Sequence, residues 1–251
     1  MRKNIYFCND LVDIIINTNL IAYFGIKIHN FININSYFLS ACKFNNIIVI
    51  KYLLEKYKIN INYTDKYGNN CLFYASCNGD ISVIKYLLTH YKLDVNIENI
   101  FKNNCLMFAC SYIEDTHFIN KLIKIYTKPF YMNIYNNNHL MYPNNKKPKN
   151  NYVNNLKMIK YLIEECKINI NHLDNRSRTC FMYACWYNLN IDLIKYLIET
   201  CKMDINAIDN MRYNCLLYTS LNPNINIIKY FVENLKIDIN SKVLIMKIVC
   251  C

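Results

Sequence analysis

Apolar and polar positions recur along the chain in two alternating textures. The first is a helical stripe: Ile81, Ile84, Leu87 and Leu88 fall three and four residues apart between Asp80 and Tyr91, so one face of this segment is apolar. The same core returns as Ile50-Lys51-Tyr52-Leu53-Leu54, Ile84-Lys85-Tyr86-Leu87-Leu88, Ile159-Lys160-Tyr161-Leu162-Ile163, Ile194-Lys195-Tyr196-Leu197-Ile198 and Ile228-Lys229-Tyr230-Phe231-Val232, with a degenerate copy at Ile119-Asn120-Lys121-Leu122-Ile123. The second texture is strict alternation, as in Ile59-Asn60-Ile61-Asn62, Leu93-Asp94-Val95-Asn96, Ile168-Asn169-Ile170-Asn171, Met203-Asp204-Ile205-Asn206 and Ile237-Asp238-Ile239-Asn240. It leads into Asp65-Lys66-Tyr67-Gly68, Asp174-Asn175-Arg176-Ser177 or Asp209-Asn210-Met211-Arg212, which reads as an extended arm ending in a β-turn tip.

Upstream of each helical core stands a shorter apolar block, such as Cys71-Leu72-Phe73-Tyr74-Ala75, Cys105-Leu106-Met107-Phe108-Ala109, Cys180-Phe181-Met182-Tyr183-Ala184 and Cys215-Leu216-Leu217-Tyr218. Asn138-His139-Leu140-Met141-Tyr142 and Ser36-Tyr37-Phe38-Leu39 fit more loosely. Ser36, Asn70, Asn104, Asn138, Thr179 and Asn214 precede these blocks, and their side-chain oxygens suit the exposed amides of a helix start. Positions 37, 71, 105 and 139 are spaced by 34 residues, and 180 to 215 is a step of 35. Helical core to next block is always 21 residues (50 to 71, 84 to 105, 159 to 180, 194 to 215), so length variation gathers in the loop between the two helices of one unit. Lys58, Lys92, Lys167, Lys202 and Lys236 stand just past the second helix, where a cation suits the negative helix end.

Turn, helix, loop, helix and arm at this period resemble the ankyrin repeat, best over Asp65 to Asp80, where Gly68, Leu72, Ala75 and Gly79 match the family pattern. Asn-Cys replaces its Thr-Pro helix start, and Phe or Met its His. The resemblance implies a mainly all-α solenoid of about six helix-loop-helix units joined by short extended arms with β-turn tips. The expected units lie near 36–62, 63–96, 97–132, 133–171, 172–206 and 207–240, with capping segments at 1–35 and 241–251. Pro143 stands at an Ala position of the first helix, and the Pro- and Lys-rich stretch that follows predicts a disordered basic loop at 143–155.

Composition sharpens the functional choice. The chain of 251 residues carries 29 Lys plus Arg against 18 Asp plus Glu, and only 3 Gly. Glycines that far apart exclude a phosphate-cradling loop or dinucleotide fingerprint. Asn and Ile supply about a third of all residues, and this Asn/Ile/Lys/Tyr-rich character is similar to the ankyrin proteins multiplied in giant DNA viruses of amoebae. The 13 cysteines follow the repeat register rather than metal spacing and read as reduced structural thiols. Cys250-Cys251 reads as the apolar end of the cap rather than a lipidation tail. No histidine pair has ligand spacing, and Glu55, Glu164, Glu199 and Glu233, four residues after Lys51, Lys160, Lys195 and Lys229, read as surface pairs.

No enzyme, cofactor or metal site is therefore expected. Many of the lysines behind the net charge of +11 occupy one helix-end register position per unit, which makes nucleic acid an unfavoured partner. The absence of a signal sequence or an apolar run of spanning length predicts a cytoplasmic, monomeric chain, in host cytoplasm if viral. The function expected is a protein-interaction scaffold directed at host proteins, with a ubiquitin-ligase substrate adaptor as the alternative. Family resemblance places the partner on the tips and on the first helices. It implicates Lys66, Tyr67, Asn69 and Asn78, then Phe101 and Tyr112. Next come Arg176, Arg178, Trp186 and Tyr187, then Met211 and Tyr213. Trp186, Tyr187, Arg176 and Arg178 stand out because Trp, Tyr and Arg dominate interface hot spots, with packing of Trp186 under its own loop as the alternative reading.

Overall fold

In a computed structural model, residues 34–77, 79–111, 152–222 and 224–237 are described, and they form ten helices with no strand among them. The helices come in pairs. They are α1 (Ile34–Lys43) with α2 (Ile47–Lys56), α3 (Cys71–Ser76) with α4 (Ile81–His90), and α5 (Cys105–Cys110) with α6 (Tyr152–Lys160). Then come α7 (Cys180–Tyr187) with α8 (Ile191–Lys195), and α9 (Cys215–Ser220) with α10 (Ile225–Lys229). Wider turns, Tyr161–Glu165, Tyr196–Thr200 and Tyr230–Asn234, extend α6, α8 and α10. No described helix is long and apolar enough to cross a membrane.

Of the five expected first-helix caps that fall on described residues, four are in place. Asn70, Asn104, Thr179 and Asn214 sit in extended conformation and accept from the amides of Leu72, Met107, Met182 and Leu217. Ser36 does not cap, because α1 starts at Ile34 and places it in the first helical turn. The second helices have caps too: Asn46, Asp80, Asn190 and Asn224 accept from Val49, Ser82, Asp192 and Asn226. Asn155 occupies the same register, four residues before the Ile of its core, yet lies inside α6 because that helix starts at Tyr152. Its amide is 2 % exposed, with neither Oδ1 nor Nδ2 hydrogen-bonded. The loop expected at 143–155 is thus helical from Tyr152 onward, and its earlier part lies outside the described residues.

Helix C-termini divide by the residue that ends them. Tyr57 and Tyr91 leave α2 and α4 in extended conformation, their rings edge-on to Tyr52 and Tyr86 at 6.3 and 6.4 Å. Cys166, Cys201 and Leu235 carry no such ring. There the chain closes over the helix end: Cys166 N–H reaches Tyr161 C=O, Ile168 N–H reaches Leu162 C=O, and Lys167 turns left-handed at φ 54°. Lys202 and Lys236 repeat the arrangement at φ 56° and 50°. The cysteine register has a physical basis: Cys71, Cys105, Cys180 and Cys215 are buried, and each thiol points at the arm carbonyl ten residues before it, Ile61, Val95, Ile170 or Ile205.

The largest departure from the expected organisation concerns the middle of the chain. Asn169 N–H donates to Asn96 Oδ1 at 2.9 Å, so the arm after α6 lies beside the arm after α4. Asn175 N–H donates to Phe101 C=O at 3.0 Å, joining the tip before α7 to the tip before α5. Asn188 Nδ2 reaches Cys110 C=O from the end of α7 to the end of α5. Helix α6 packs against α5 and α4, and α7 packs against α5. Accordingly α5 and α6 are the two helices of one unit, although 112–151 separates them in sequence. Among the described residues, spans 97–132 and 133–171 supply one helical pair between them, so five stacked pairs are described beside the expectation of about six units. The motif-like stretches at 119–123 and 138–142 lie outside the described residues, as do 1–33, 143–151 and 241–251.

Outer helices carry a second surprise. Lys51, Lys160 and Lys195 do not pair with Glu55, Glu164 and Glu199. Instead each lysine sits over the tyrosine of the following unit: Lys51 over Tyr86, Lys160 over Tyr196 and Lys195 over Tyr230, at 5.1, 4.9 and 5.5 Å from the ring centres. Tyr196 and Tyr230 hydroxyls donate to Glu164 and Glu199 at 2.7 Å. The stripe read as local surface pairs therefore ties neighbouring units together.

Candidate functional site

Four turn tips line one edge of the stack, and a single carboxylate or amide organises each. Asp65 Oδ1 accepts the amides of Tyr67 and Asn69. Asn99, Asp174 and Asp209 do the same for Phe101 and Asn103, Arg176 and Arg178, and Met211 and Tyr213. The second Asp oxygen takes a tyrosine hydroxyl from the helix behind: Tyr74 to Asp65 at 2.7 Å, Tyr183 to Asp174 at 2.8 Å and Tyr218 to Asp209 at 2.7 Å. Where the tip residue is Asn99, the helix residue in that register is Phe108, which has no hydroxyl to place. The Asn99 Nδ2 instead donates to Asn69 Oδ1 of the previous tip at 2.9 Å.

Tips are tied to one another through the main chain. Ile100 N–H reaches Tyr67 C=O at 3.1 Å, Asn175 N–H reaches Phe101 C=O, and Asn210 N–H reaches Arg176 C=O at 2.9 Å. The last residue of each turn has positive φ: Gly68 80°, Lys102 57°, Ser177 60° and Arg212 63°. At Gly68 a side chain would meet the Ile100 amide at 3.2 Å, so glycine there also admits the next tip.

Electrostatics inside the tips favour rigidity. Burial, then the Asp65 carboxylate, pushes the Tyr74 hydroxyl far above the usual phenol range, so it stays a donor. Asp174 is fully covered and receives Arg178 Nε at 2.7 Å and Nη2 at 2.6 Å. Burial raises the Asp209 carboxyl, and the Tyr218 and Met211 hydrogen bonds oppose that rise.

The residues implicated by sequence divide into two groups. Lys66 and Met211 are exposed, with Tyr67, Phe101, Arg176 and Tyr213 half-buried. The Lys66 ammonium lies 4.8 Å from the Tyr67 ring centre, and Tyr67 and Phe101 rings are 6.2 Å apart, so the first two tips share an aromatic surface. By contrast Asn69, Arg178, Trp186 and Tyr187 are 0 %, 3 %, 4 % and 2 % exposed. Asn69 and Arg178 hold their own tips together. Trp186 stacks on Tyr187 at 4.5 Å and against Tyr218 of the next unit at 5.1 Å, inside the seam between units. Asn78 and Tyr112 lie outside the described residues.

Further residues belong to this edge, of which sequence reading passed over Lys102, Arg212 and Ile208. Lys102 and Arg212 project from the left-handed position, and their register with Gly68 was the available signal. Ile100 and Ile208 are 62 % and 46 % exposed. His172 Nε2 contacts Lys102 C=O at 2.6 Å and its Nδ1 stands 3.7 Å from Glu98. Among the described residues no group of three His, Cys, Asp or Glu side chains could hold a metal ion.

Comparison with known families gives two matches. A model described as ankyrin repeats in many copies matches residues 38–88, and one described as ankyrin repeats in three copies matches 149–243. Together they span more than half of the 251 residues. No curated protein matches the chain significantly.

Proposed function

From the premise that the chain belongs to the ankyrin-repeat family, we propose that it is a non-enzymatic protein-interaction scaffold whose docking surface is the turn-tip edge. The observation that carries this reading is the division of labour within each tip. Asp65, Asp174, Asp209 and Asn99 are consumed in holding the turn, which leaves Tyr67, Ile100, Phe101 and Met211 displayed on a backbone already fixed by tip-to-tip bonds. Ordering a loop on binding costs free energy, and a pre-ordered edge avoids that cost. Its apolar and aromatic display suits a protein surface. The Asn-, Ile-, Lys- and Tyr-rich composition supports a viral chain directed at host proteins.

The test uses the full chain as bait in cell extract, beside two variants. Tyr67→Ala/Phe101→Ala/Met211→Ala alters the tip edge, and Lys85→Ala alters the outer helix face. Proteins captured by the native chain should be lost with the first variant and kept with the second, while circular dichroism shows both folded. Retention by the triple variant would remove the tip edge from consideration.

A further inference from the structure

We infer that Cys110 with Cys180, and Cys185 with Cys215, are two latent disulfide sites, closed by a peroxide and each stapling one unit of the stack to the next. This goes beyond the docking reading and does not depend on it. The starting point is register. Cys71, Cys105, Cys180 and Cys215 open the first helices α3, α5, α7 and α9, and the residue five further along is Ser76, Cys110, Cys185 or Ser220. First helices of successive units pack side by side, with Phe73 4.9 Å from Phe108 and Trp186 5.1 Å from Tyr218 across their seams. That packing brings the late position of α5 to the opening of α7, and the late position of α7 to the opening of α9. The Cys110 thiol is hydrogen-bonded to Cys180, and the Cys185 thiol to Cys215. Cys180 and Cys215 in turn donate to Ile170 and Ile205 C=O at 3.6 and 2.8 Å, which leaves their sulfurs as acceptors. All four side chains are buried, with free thiols.

Burial pushes the Cys110 and Cys185 thiols well above the usual thiol range, so neither is a nucleophile while its seam is closed. A stacked array opens seam by seam, and an open seam exposes both thiols of its pair to water. One thiol then loses its proton, and its sulfur attacks a peroxide oxygen. An S–O bond forms, the O–O bond breaks, and the hydroxide released takes up a proton as water. The second thiolate attacks the sulfur of this sulfenic acid, forming the S–S bond and expelling hydroxide, which is protonated to a second water. Two thiols and one peroxide give one disulfide and two waters, with two electrons passing from sulfur to oxygen. Reclosing the helices holds the second sulfur against the first, which favours the disulfide over further oxidation. Cys110 and Cys180 stand on either side of 112–151 in sequence, so their bond closes the longer loop and restrains the opened chain more.

The experiment treats the full chain with hydrogen peroxide, blocks remaining thiols with iodoacetamide and digests with trypsin without reduction. Mass spectrometry should find peptides 103–121, 179–195 and 213–229 joined in one assembly by two disulfides. Cys110→Ser should release 103–121 alone, Cys185→Ser should release 213–229 alone, and Cys105→Ser should leave all three joined. Serine suits this register: Ser76 is buried there and donates to Phe73 C=O at 2.8 Å, so the first two variants should keep the native circular dichroism. In the oxidised native chain the amides of Cys215–Ser220 should exchange about tenfold or more slowly than in the reduced chain. Dithiothreitol should reverse that protection, and Cys185→Ser should not show it. Recovery of three separate peptides after peroxide, a link to 103–121 that survives Cys110→Ser, or unchanged exchange after linkage would each overturn the proposal.

Discussion

Replacing Trp186 with Ala separates a seam residue from a docking residue. The ring is 4 % exposed, 4.5 Å from Tyr187 and 5.1 Å from Tyr218 in the first helix of the following unit. Beside it, Asn222 Nδ2 donates to Cys185 C=O at 2.9 Å and Asn188 C=O at 2.8 Å across the same seam. Truncating a buried Trp costs about 3–5 kcal/mol in transfer and cavity terms. In a stacked array that cost falls on one interface, because each unit touches only its neighbours. Residues 207–237 should therefore loosen first. Their most protected amides, in Cys215–Ser220, should exchange about 10²–10⁴-fold faster than in the native chain, while Cys71–His90 changes far less. Hydrogen exchange read by mass spectrometry resolves the two segments. A variant as protected as the native chain, with binding lost, would refute the seam and restore Trp186 as a docking residue. Uniform acceleration in both segments would refute the nearest-neighbour picture.

The same geometry makes four further predictions. Asn155→Leu should raise the denaturation midpoint by removing a buried unbonded amide, a gain of about 1–3 kcal/mol, while Asn190→Leu, in the same register, should lose about 1 kcal/mol with its cap; a shared sign in urea melts would contradict the assignment. Lys202→Gly should stabilise by about 1 kcal/mol, because an exposed residue at φ 56° gains from losing its Cβ, and an unchanged or lower midpoint would count against it. Burial pushes the Cys71 and Cys77 thiols up to about 12, so iodoacetamide at pH 8 should label half-buried Cys166 and Cys201 before Cys71 and Cys105. Those raised thiols, and the raised Tyr74, Tyr183 and Tyr218 hydroxyls, bind protons more tightly in the folded state. Their stabilisation is complete below the unfolded thiol and phenol range and is lost as pH rises beyond it, so stability should fall above about pH 9, and a flat profile to pH 11 would refute this.

Local patterning along the chain carries most of the architecture because the period is written in residues that packing constrains tightly. Asn70, Asn104, Thr179 and Asn214 announce helix starts through cap chemistry, and the cysteine register reports a space only a small buried side chain fills. Caps of the second helices are equally chemical, but Asn46, Asn190 and Asn224 are inconspicuous in so Asn-rich a chain. The pairing of 97–111 with 152–165 was not legible, because motif-like stretches stand between them in sequence. Only the long-range bonds of Asn169 to Asn96 and Asn175 to Phe101 reveal which units are neighbours. In the candidate site, hot-spot composition pointed to Trp186, whereas register aligns it with Cys77, Ser111 and Leu221 at the end of each first helix, a position turned into the seam. The left-handed tip position was legible only at Gly68. Lys102, Ser177 and Arg212 adopt it because tip-to-tip bonds and the Asx turn impose it.

Cross-linking across the central tips tests the stack most directly. With Phe101→Cys and Asn175→Cys in one chain, mild oxidation should form a disulfide in the native protein, since Asn175 N–H bonds Phe101 C=O at 3.0 Å and bridged Cα atoms stand about 4.4–6.8 Å apart. The pair Tyr67→Cys and Asn175→Cys, two tips apart, should stay reduced. Failure of the first pair to close, as a further unit between the two tips would require, would contradict the five-unit account.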